Sequence, residues 1–496
     1  MKKIVHNKGF SHHMLLPLLA VLAVGGIGLY MLNMSSAATG GFISRKAYRA
    51  ADFIDSEGVV AHVDADESYL NAPNVLGSLS FLGVHHVRSR NLGEGAVKTL
   101  LAQNGVKFDF MTVVPRDNTI RPLSAHTNEN VLYTKSRVTD ILTNPAAGDK
   151  YVKSAAYVEP LNEYDNQSTD DPLQDTHWAD TLAVAQSALW STKPSILAQN
   201  PKTKILGPAF IGFKEATSTA TLQPKNIVGM MDYGNVHSYP DGTPPETNLQ
   251  NGDGLDGFVV PISQLPSSVT GDVGQKLQHY STRISGRKRI VVTEEGYHDY
   301  TDQPAGSPKY TDRNAVGIYA PRVYLENFRI GVLKTYIYEM YDENVHSKPY
   351  EMHYGLFEHT TADGLPNVAK PAAIAIHDMN SVLSDSGAQA TTFRPGVLKY
   401  SIVRQPTSVK ALLLQKSSNK FYLVVWKAES VFIPGNGPGA GRYTGPTAPT
   451  SYTINFDTKR TVNAFYDGGT TSTSLGSGRS SYTFNVSAKQ TVLEIH

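Results

Sequence analysis

Eight short apolar runs recur along the first three quarters of the chain, and longer segments of helical period separate them. They are VVAHVD (59–64), VHHVRS (84–89), VKFDFMTV (106–113), SAAYVEP (154–160), KILGPA (204–209), YGNVHSY (233–239), RIVVTEE (289–295) and KTYIYEMYD (334–342). Helices are predicted between them at Asn71 to Leu82, Glu94 to Asn104, Glu129 to Leu142, His177 to Ala198, Tyr310 to Phe328 and Ala369 to Leu383. Continuous β-branched runs of this kind suit strands buried on both faces, which is the condition of a parallel sheet covered by helices. Eight such units predict a closed (β/α)8 TIM barrel rather than an open sheet. No GxGxxG or GxxxxGK[ST] loop follows the first strand, which argues against a nucleotide or dinucleotide fold.

From about Ser386 the texture becomes all-β. YSIVRQ, VKALLLQ, KFYLVVWKA, SYTINFD, TVNAFYD, SYTFNVS and QTVLEIH alternate with Gly, Pro, Ser and Thr clusters, which predicts a C-terminal β-sandwich over 386–496. Within it, IPGNGPGAGRYTGPTAP (433–449) reads as a long surface loop, and Trp426 as sandwich core. The barrel is expected over 58–385 and a linker over 39–57. At the N-terminus, Lys2, Lys3 and Lys8 precede an uncharged run from Met14 to Met34, and Ser36 and Ala38 then offer a small-residue cleavage site. Residues 1–38 are expected to direct export, either as a cleaved signal peptide or as an uncleaved membrane anchor, because the run is close to the roughly 20 residues that span a bilayer. The remainder is expected outside the cytoplasm, with membrane contact only through this segment.

Lys and Arg number 45 against 44 Asp and Glu, so the overall charge gives no attraction to nucleic acid or anionic lipid, and a neutral polymer is the more natural partner. The chain has no cysteine, which excludes thiol nucleophiles and Cys-ligated metals. In barrels of this kind the reactive groups stand at the C-terminal strand ends. There the fourth strand ends in EPLNEYDNQ, presenting Asn162 and Glu163, and the seventh ends in IVVTEEGYHD, presenting Glu294 and Glu295. Two carboxyls about 5–5.5 Å apart suit double-displacement glycoside hydrolysis, one attacking the anomeric carbon and the other protonating the leaving oxygen. Such a pair needs one group held ionised and one held protonated by its surroundings. Neighbouring residues on a strand point to opposite faces, so Glu294 and Glu295 are not both expected to serve, and Glu295 is expected to be a solvated or supporting neighbour.

With these residues in view, the stretch from about Val59 to Leu383 resembles the clan GH-A glycoside hydrolases, the barrel enzymes that include cellulases, mannanases and β-xylosidases. That resemblance implies a retaining glycosidase acting on O-glycosidic bonds of an oligo- or polysaccharide, with Glu163, directly after Asn162, as acid/base and Glu294 of the Glu-x-Gly element as nucleophile. It implies that Arg88 of LGVHHVRSR binds the nucleophile, that His237 and Tyr239 of HSY line the site, and that Asn162 binds the sugar 2-hydroxyl. LGPAFIG (206–212) and HYGLF followed by DGLPNVAKPAA (353–373) also look like this clan. Two departures stand out. Tyr164 follows Asn162-Glu163 where the clan usually has proline, and the eighth strand reads YIYEMYDE without the clan's Trp, leaving Tyr338 or Tyr341 as the expected sugar platform.

Further contacts are expected from His62 at the end of strand one, from Tyr297 and His298 after strand seven, and from Tyr164 and Trp178 near the mouth. His85 and His86 are adjacent on a strand and diverge, which argues against joint metal binding. There is no HExxH signature and no GxSxG elbow, and hydrolysis by two carboxylates needs no metal or cofactor. Two other readings use the same residues. One is a surface carbohydrate-binding protein with a silent cleft, which would be favoured if the two carboxyls stood beyond about 9.5 Å. The other is a transglycosylase.

Overall fold

The computed structural model describes residues 41–63, 67–90, 96–111, 154–164, 178–210, 226–246, 285–286, 288–300, 310–344, 349–359, 368–434 and 440–496. The export segment and the helix expected at Glu129 to Leu142 lie outside these residues. Among the described residues no helix is long and apolar enough to cross a membrane.

Two short strands open the described chain, β1 (Ile43–Lys46) and β2 (Tyr48–Arg49), followed by a helix at Ala50–Asp55. The barrel strands are then β3 (Glu57–Val60), β4 (His86–Arg90), β5 (Lys107–Met111), β6 (Ala155–Glu159), β7 (Lys204–Ile205), β8 (Gly234–His237), β9 (Ile290–Glu295) and β10 (Thr335–Ile337). Their order in the sheet is β7-β6-β5-β4-β3-β10-β9-β8. Every pairing along it is parallel. The remaining gap closes through a parallel bridge between Leu206 and Tyr233, where Gly207 N–H donates to the Tyr233 carbonyl at 2.9 Å. The eight expected strands therefore form a (β/α)8 barrel, each shorter than the apolar run that predicted it.

Local chemistry sets the helix ends. The Asn71 side chain accepts from Asn74 N at 3.1 Å and caps Ala72–Leu82, which stops at Gly83 in the left-handed region. Asp312 caps Arg313–Ile330 in the same way, and that helix stops at Gly331.

The all-β region comprises β11 (Val397–Ile402), β12 (Val409–Gln415), β13 (Phe421–Lys427), β14 (Phe432–Ile433), β15 (Arg442–Tyr443), β16 (Thr450–Phe465), β17 (Ser472–Val486) and β18 (Thr491–Ile495). Apart from the β14–β15 hairpin, these strands hydrogen-bond in one series, β1-β11-β16-β18-β13-β12-β2, with β17 on β16. Strand period sorts its side chains. Leu413, Leu423, Val425 and Leu493 face a core of the region's own, with Tyr400, Phe456 and Phe484. Leu412, Leu414, Tyr422, Val424 and Trp426 face the other way, into a core shared with Phe53 and Tyr319 of the barrel helices.

Three expectations change here. The linker expected over 39–57 contributes β1 and β2 to this sheet, because β1 covers the edge of β11 and β2 that of β12. The loop expected over 433–449 carries one strand of a hairpin, held by Phe432–Tyr443 and Ile433–Arg442 pairing. Trp426 belongs to the junction between the two regions rather than to the sandwich interior.

Candidate active site

Arg88 is the residue around which the mouth is organised. It stands on β4 with no solvent exposure, and its guanidinium serves three acceptors. Nε donates to Glu159 Oε1 at 2.5 Å, Nη1 to Glu294 Oε1 at 2.5 Å and Nη2 to Asn162 Oδ1 at 2.7 Å. The planar fork of an arginine makes this possible, and a lysine could not reproduce it. Because Arg88 takes the Asn162 oxygen, the amide N–H2 of Asn162 is turned away from the arginine. A parallel bridge between Asn162 and Ala209 continues the sheet beyond β6 and fixes this residue at the mouth.

Glu294 reaches the same place through an irregularity in β9. Val236 pairs with Val292, but the next residue, His237, pairs with Glu294, and on the other side Thr335 and Ile337 pair with Val292 and Glu295. Both neighbours thus record one extra residue in β9, a bulge that re-aims the side chains around it. Thr293 Oγ1 donates to Asn235 Oδ1 at 2.5 Å inside the barrel, while Glu294 turns to Arg88. The next residue but one is Gly296, where a Cβ would lie 2.0 Å from the Tyr338 carbonyl oxygen. The Glu-x-Gly pattern therefore has a steric cause: only glycine lets the ends of β9 and β10 approach this closely.

Glu294 also accepts from Tyr239 Oη at 2.7 Å on its second oxygen. Burial on its own raises a carboxyl pKa, but the charges of His237 and Arg88 and the hydrogen bonds from Tyr239 and Arg88 outweigh it and hold Glu294 at about 2. Glu163 has φ of 42°, a left-handed backbone that non-glycine residues seldom adopt and that recurs at functional sites. His237 Nδ1 lies 2.6 Å from Glu163 Oε1 and 3.4 Å from Glu294 Oε2. Burial disfavours a charged imidazole, yet the two carboxylates raise the His237 pKa above its ordinary value. Carboxylate oxygens of Glu163 and Glu294 lie within 4.8 Å of each other.

The other expected residues divide. Tyr338, after β10, sets its ring edge-on to Tyr239 and to His62, with centroids 6.3 and 5.9 Å apart. His62 pairs with Glu343 through Nδ1 and lies 3.4 Å from Glu339. His298 packs on Tyr350 and Tyr354, and Tyr354 in turn packs on Tyr239. Tyr164 is half-buried against the core around Leu161. Trp178 opens the helix Trp178–Gln199, and its side chain lies outside the described residues.

Two expectations fail. Tyr297 is sealed behind β9, its ring against Tyr319 and its hydroxyl donating to the Thr243 carbonyl at 3.0 Å. Tyr341 is fully buried against Tyr69, and its hydroxyl donates to Ser78 at 2.9 Å, so Tyr338 alone of the two tyrosines stands at the mouth. Both lie past a strand end, where period two no longer dictates direction. Glu295 is not solvated: it is fully buried against Asn327, whose Nδ2 donates to Oε2 at 2.7 Å.

The structure adds residues that the sequence reading missed. Glu159 accepts from Arg88 and, through Oε2, from Asn235 Nδ2 at 2.5 Å. Glu339, Glu343 and Tyr354 join the wall. A charged residue closing an apolar run, as Glu159 does in SAAYVEP, is the signal that could have found it.

No protein-family model matches the sequence, and no curated protein does. Solved structures do match. A family 39 glycoside hydrolase from the gut symbiont Bacteroides cellulosilyticus is 14% identical with a TM-score of 0.53, over 90% of this chain and 82% of that one. The catalytic domain of family 30 xylanase C from Talaromyces cellulolyticus is 12% identical with a TM-score of 0.50, over 91% and 98%. An endo-β-1,6-glucanase is 10% identical with a TM-score of 0.52, over 93% and 95%. At these identities the likeness is one of fold: this chain shares its architecture with these glycoside hydrolases.

Proposed function

We propose that this protein is a retaining glycoside hydrolase that cleaves O-glycosidic bonds of an oligo- or polysaccharide outside the cytoplasm. The observation that carries the reading is the Glu163–Glu294 pair, with oxygens within 4.8 Å and with one member, Glu294, held ionised by Arg88, His237 and Tyr239. That spacing is nearer to the roughly 5–5.5 Å that suits direct attack on the anomeric carbon than to the roughly 6.5–9.5 Å at which an inverting enzyme seats its water. It also lies far inside the separation at which binding without hydrolysis becomes the better reading. The fold shared with glycosidases supports the class of substrate, and the basic, then apolar N-terminal residues support export.

In the first step a Glu294 oxygen bonds to the anomeric carbon as the bond to the leaving oxygen breaks, and that oxygen takes the proton of Glu163. Glu294 is then an uncharged ester and Glu163 an anion. His237, hydrogen-bonded to Glu163, stabilises that anion at the moment the negative charge on Glu294 disappears. In the second step Glu163 takes a proton from water, the hydroxide oxygen bonds to the anomeric carbon and the ester breaks, which restores Glu294. In this reading the Asn162 N–H2, turned away from Arg88, donates to the hydroxyl beside the reacting carbon, and Tyr338 supplies an aromatic edge.

The test is Glu294→Ala with activated aryl glycosides. Hydrolysis should be lost and then recovered with azide as the glycosyl azide of opposite anomeric configuration. Unchanged turnover without azide removes Glu294 from the role.

A further inference from the structure

The all-β region touches the mouth indirectly, through the segment that follows β8. Tyr239 begins that segment and Glu246 ends its described part. Glu246 is buried and accepts three hydrogen bonds: Arg322 Nε to Oε1 at 2.7 Å, Arg322 Nη2 to Oε2 at 2.5 Å and Trp426 Nε1 to Oε1 at 2.6 Å. Arg322 belongs to the helix Arg313–Ile330, and Trp426 to β13. Arg322 Nη1 also donates to the Glu429 carbonyl at 3.1 Å, so two points of the all-β region meet this ion pair. A second contact is independent of the first. Gly242 has φ of 79°, and a Cβ there would stand 3.1 Å from both Phe432 and Pro434, which belong to the β14–β15 hairpin side of the region. Between these anchors Thr243 turns back on Pro240, N to O at 3.0 Å, and its carbonyl receives the Tyr297 hydroxyl. The segment is thus gripped at Gly242 and Glu246, and at its other end the Tyr239 hydroxyl donates to Glu294.

Trp426 has no exposed ring face, so it is no platform for glycan. We propose that the all-β region is a working part of the site: Trp426 and Phe432 are positioning residues that hold the 239–246 segment and thereby keep Tyr239 hydrogen-bonded to Glu294. The inference rests on the catalytic reading above for its effect on rate, but the grip itself is independent of any reaction. It differs from the usual expectation for an appended β-module, which would bind substrate or merely stabilise the barrel. The groups facing Glu294 are Arg88 from β4, Glu163 from beyond β6, His237 from β8, Tyr239 from beyond β8 and Tyr338 from beyond β10. Of these, Tyr239 is the one whose position depends on the segment gripped by the all-β region.

The experiment uses the whole protein with Trp426→Phe, which keeps an aromatic ring and removes the N–H, and Phe432→Leu as a second variant that leaves every hydrogen bond intact. Hydrogen exchange is followed across the chain, and kcat/KM is followed against pH with an activated aryl glycoside. In both variants amides of 239–246 should exchange about fivefold faster or more, while the barrel strands keep their protection. In both, kcat/KM should fall about tenfold, and its acidic limb should rise by about 0.5–1 pH unit as Glu294 loses a donor to its charged form. Unchanged exchange in 239–246 overturns the grip. Faster exchange there with unchanged rate and unchanged acidic limb overturns the positioning role and leaves the region a stabiliser only. A wild-type protein that turns over no glycoside overturns the function proposed above and the rate part of this inference, while the exchange experiment still decides the grip.

Discussion

Strand β9 divides two buried clusters that are alike in composition and opposite in use. On its inner side Arg88, Asn162, His237 and Tyr239 surround Glu294; on its outer side Arg322, Asn327, Tyr297 and Trp426 surround Glu246 and Glu295. The difference lies in how each arginine is shared. Arg88 divides its fork between Glu159 and Glu294, so a single cation orients two carboxylates and leaves one of them facing the mouth. Arg322 pairs with one carboxylate only, giving Nε and Nη2 to Glu246 and Nη1 to the Glu429 carbonyl. Among the described residues Glu295 accepts only from the amide of Asn327. Burial, with the nearby charges of Glu246 and Glu326, pushes it up to about 8 despite that hydrogen bond. Adjacent glutamates on one strand are therefore an anion and a neutral acid at pH 7. Strand direction and the partition of donors produce that split, and residue type does not.

The same chemical change on the two sides of β9 breaks this comparison most sharply. Glu294→Gln should reduce kcat/KM by at least about 10³-fold, measured with activated aryl glycosides. Glu295→Gln should leave it unchanged, and it should raise stability. The sign follows from a carboxyl whose folded pKa is above its unfolded value. Its neutral form stabilises the fold below the unfolded pKa, and that contribution is lost progressively as pH rises through about 8. Denaturant melts should thus show little difference at pH 4 and a gain of about 2 kcal/mol or more at pH 8. Glu294 has the opposite sign: its folded pKa is depressed, so its stabilising contribution is present near neutrality and is lost as pH falls toward about 2.

Next in size, Glu163→Gln should slow substrates with poor leaving groups about 10²–10⁴-fold and activated ones far less, a contrast that initial rates on two aryl leaving groups would read. Arg88→Met leaves Glu159 and Glu294 buried without their cation and should cost about 3–5 kcal/mol in chemical denaturation, together with activity. The smallest effect expected is that of Tyr341→Phe. It removes one buried hydrogen bond to Ser78, for about 1 kcal/mol, and leaves kcat and KM unchanged because Tyr341 does not reach the mouth.

The barrel was legible in the sequence because a strand buried on both faces must be apolar throughout, a condition few other structures impose. That Glu163 and Glu294 stand at strand ends could be read for a related reason, since a polar residue closing an apolar run marks where the strand meets its loop, but the choice of Glu294 over Glu295 rests on the resemblance of Glu-x-Gly and not on the run itself. The aromatic residues were not, because beyond a strand end the chain is free to turn either way, as Tyr297 and Tyr341 do. The bulge in β9 was equally hidden. Period two correctly separates Glu294 from Glu295, but it gives no hint that Thr293 and Glu294 both serve the interior, since that depends on the register of β8 and β10 on either side. Nor could the spacing of Trp426 and Glu246 along the chain, 180 residues apart, disclose that they share a hydrogen bond.

The central claim is that Glu163 and Glu294 act at one anomeric carbon from opposite sides. The most direct measurement is proton NMR of the first sugar released from an aryl glycoside, taken before mutarotation. Release with the substrate's own anomeric configuration is the predicted result. Release of the opposite anomer would contradict the account, because inversion calls for carboxyls about 6.5–9.5 Å apart, with room for a water beside the sugar.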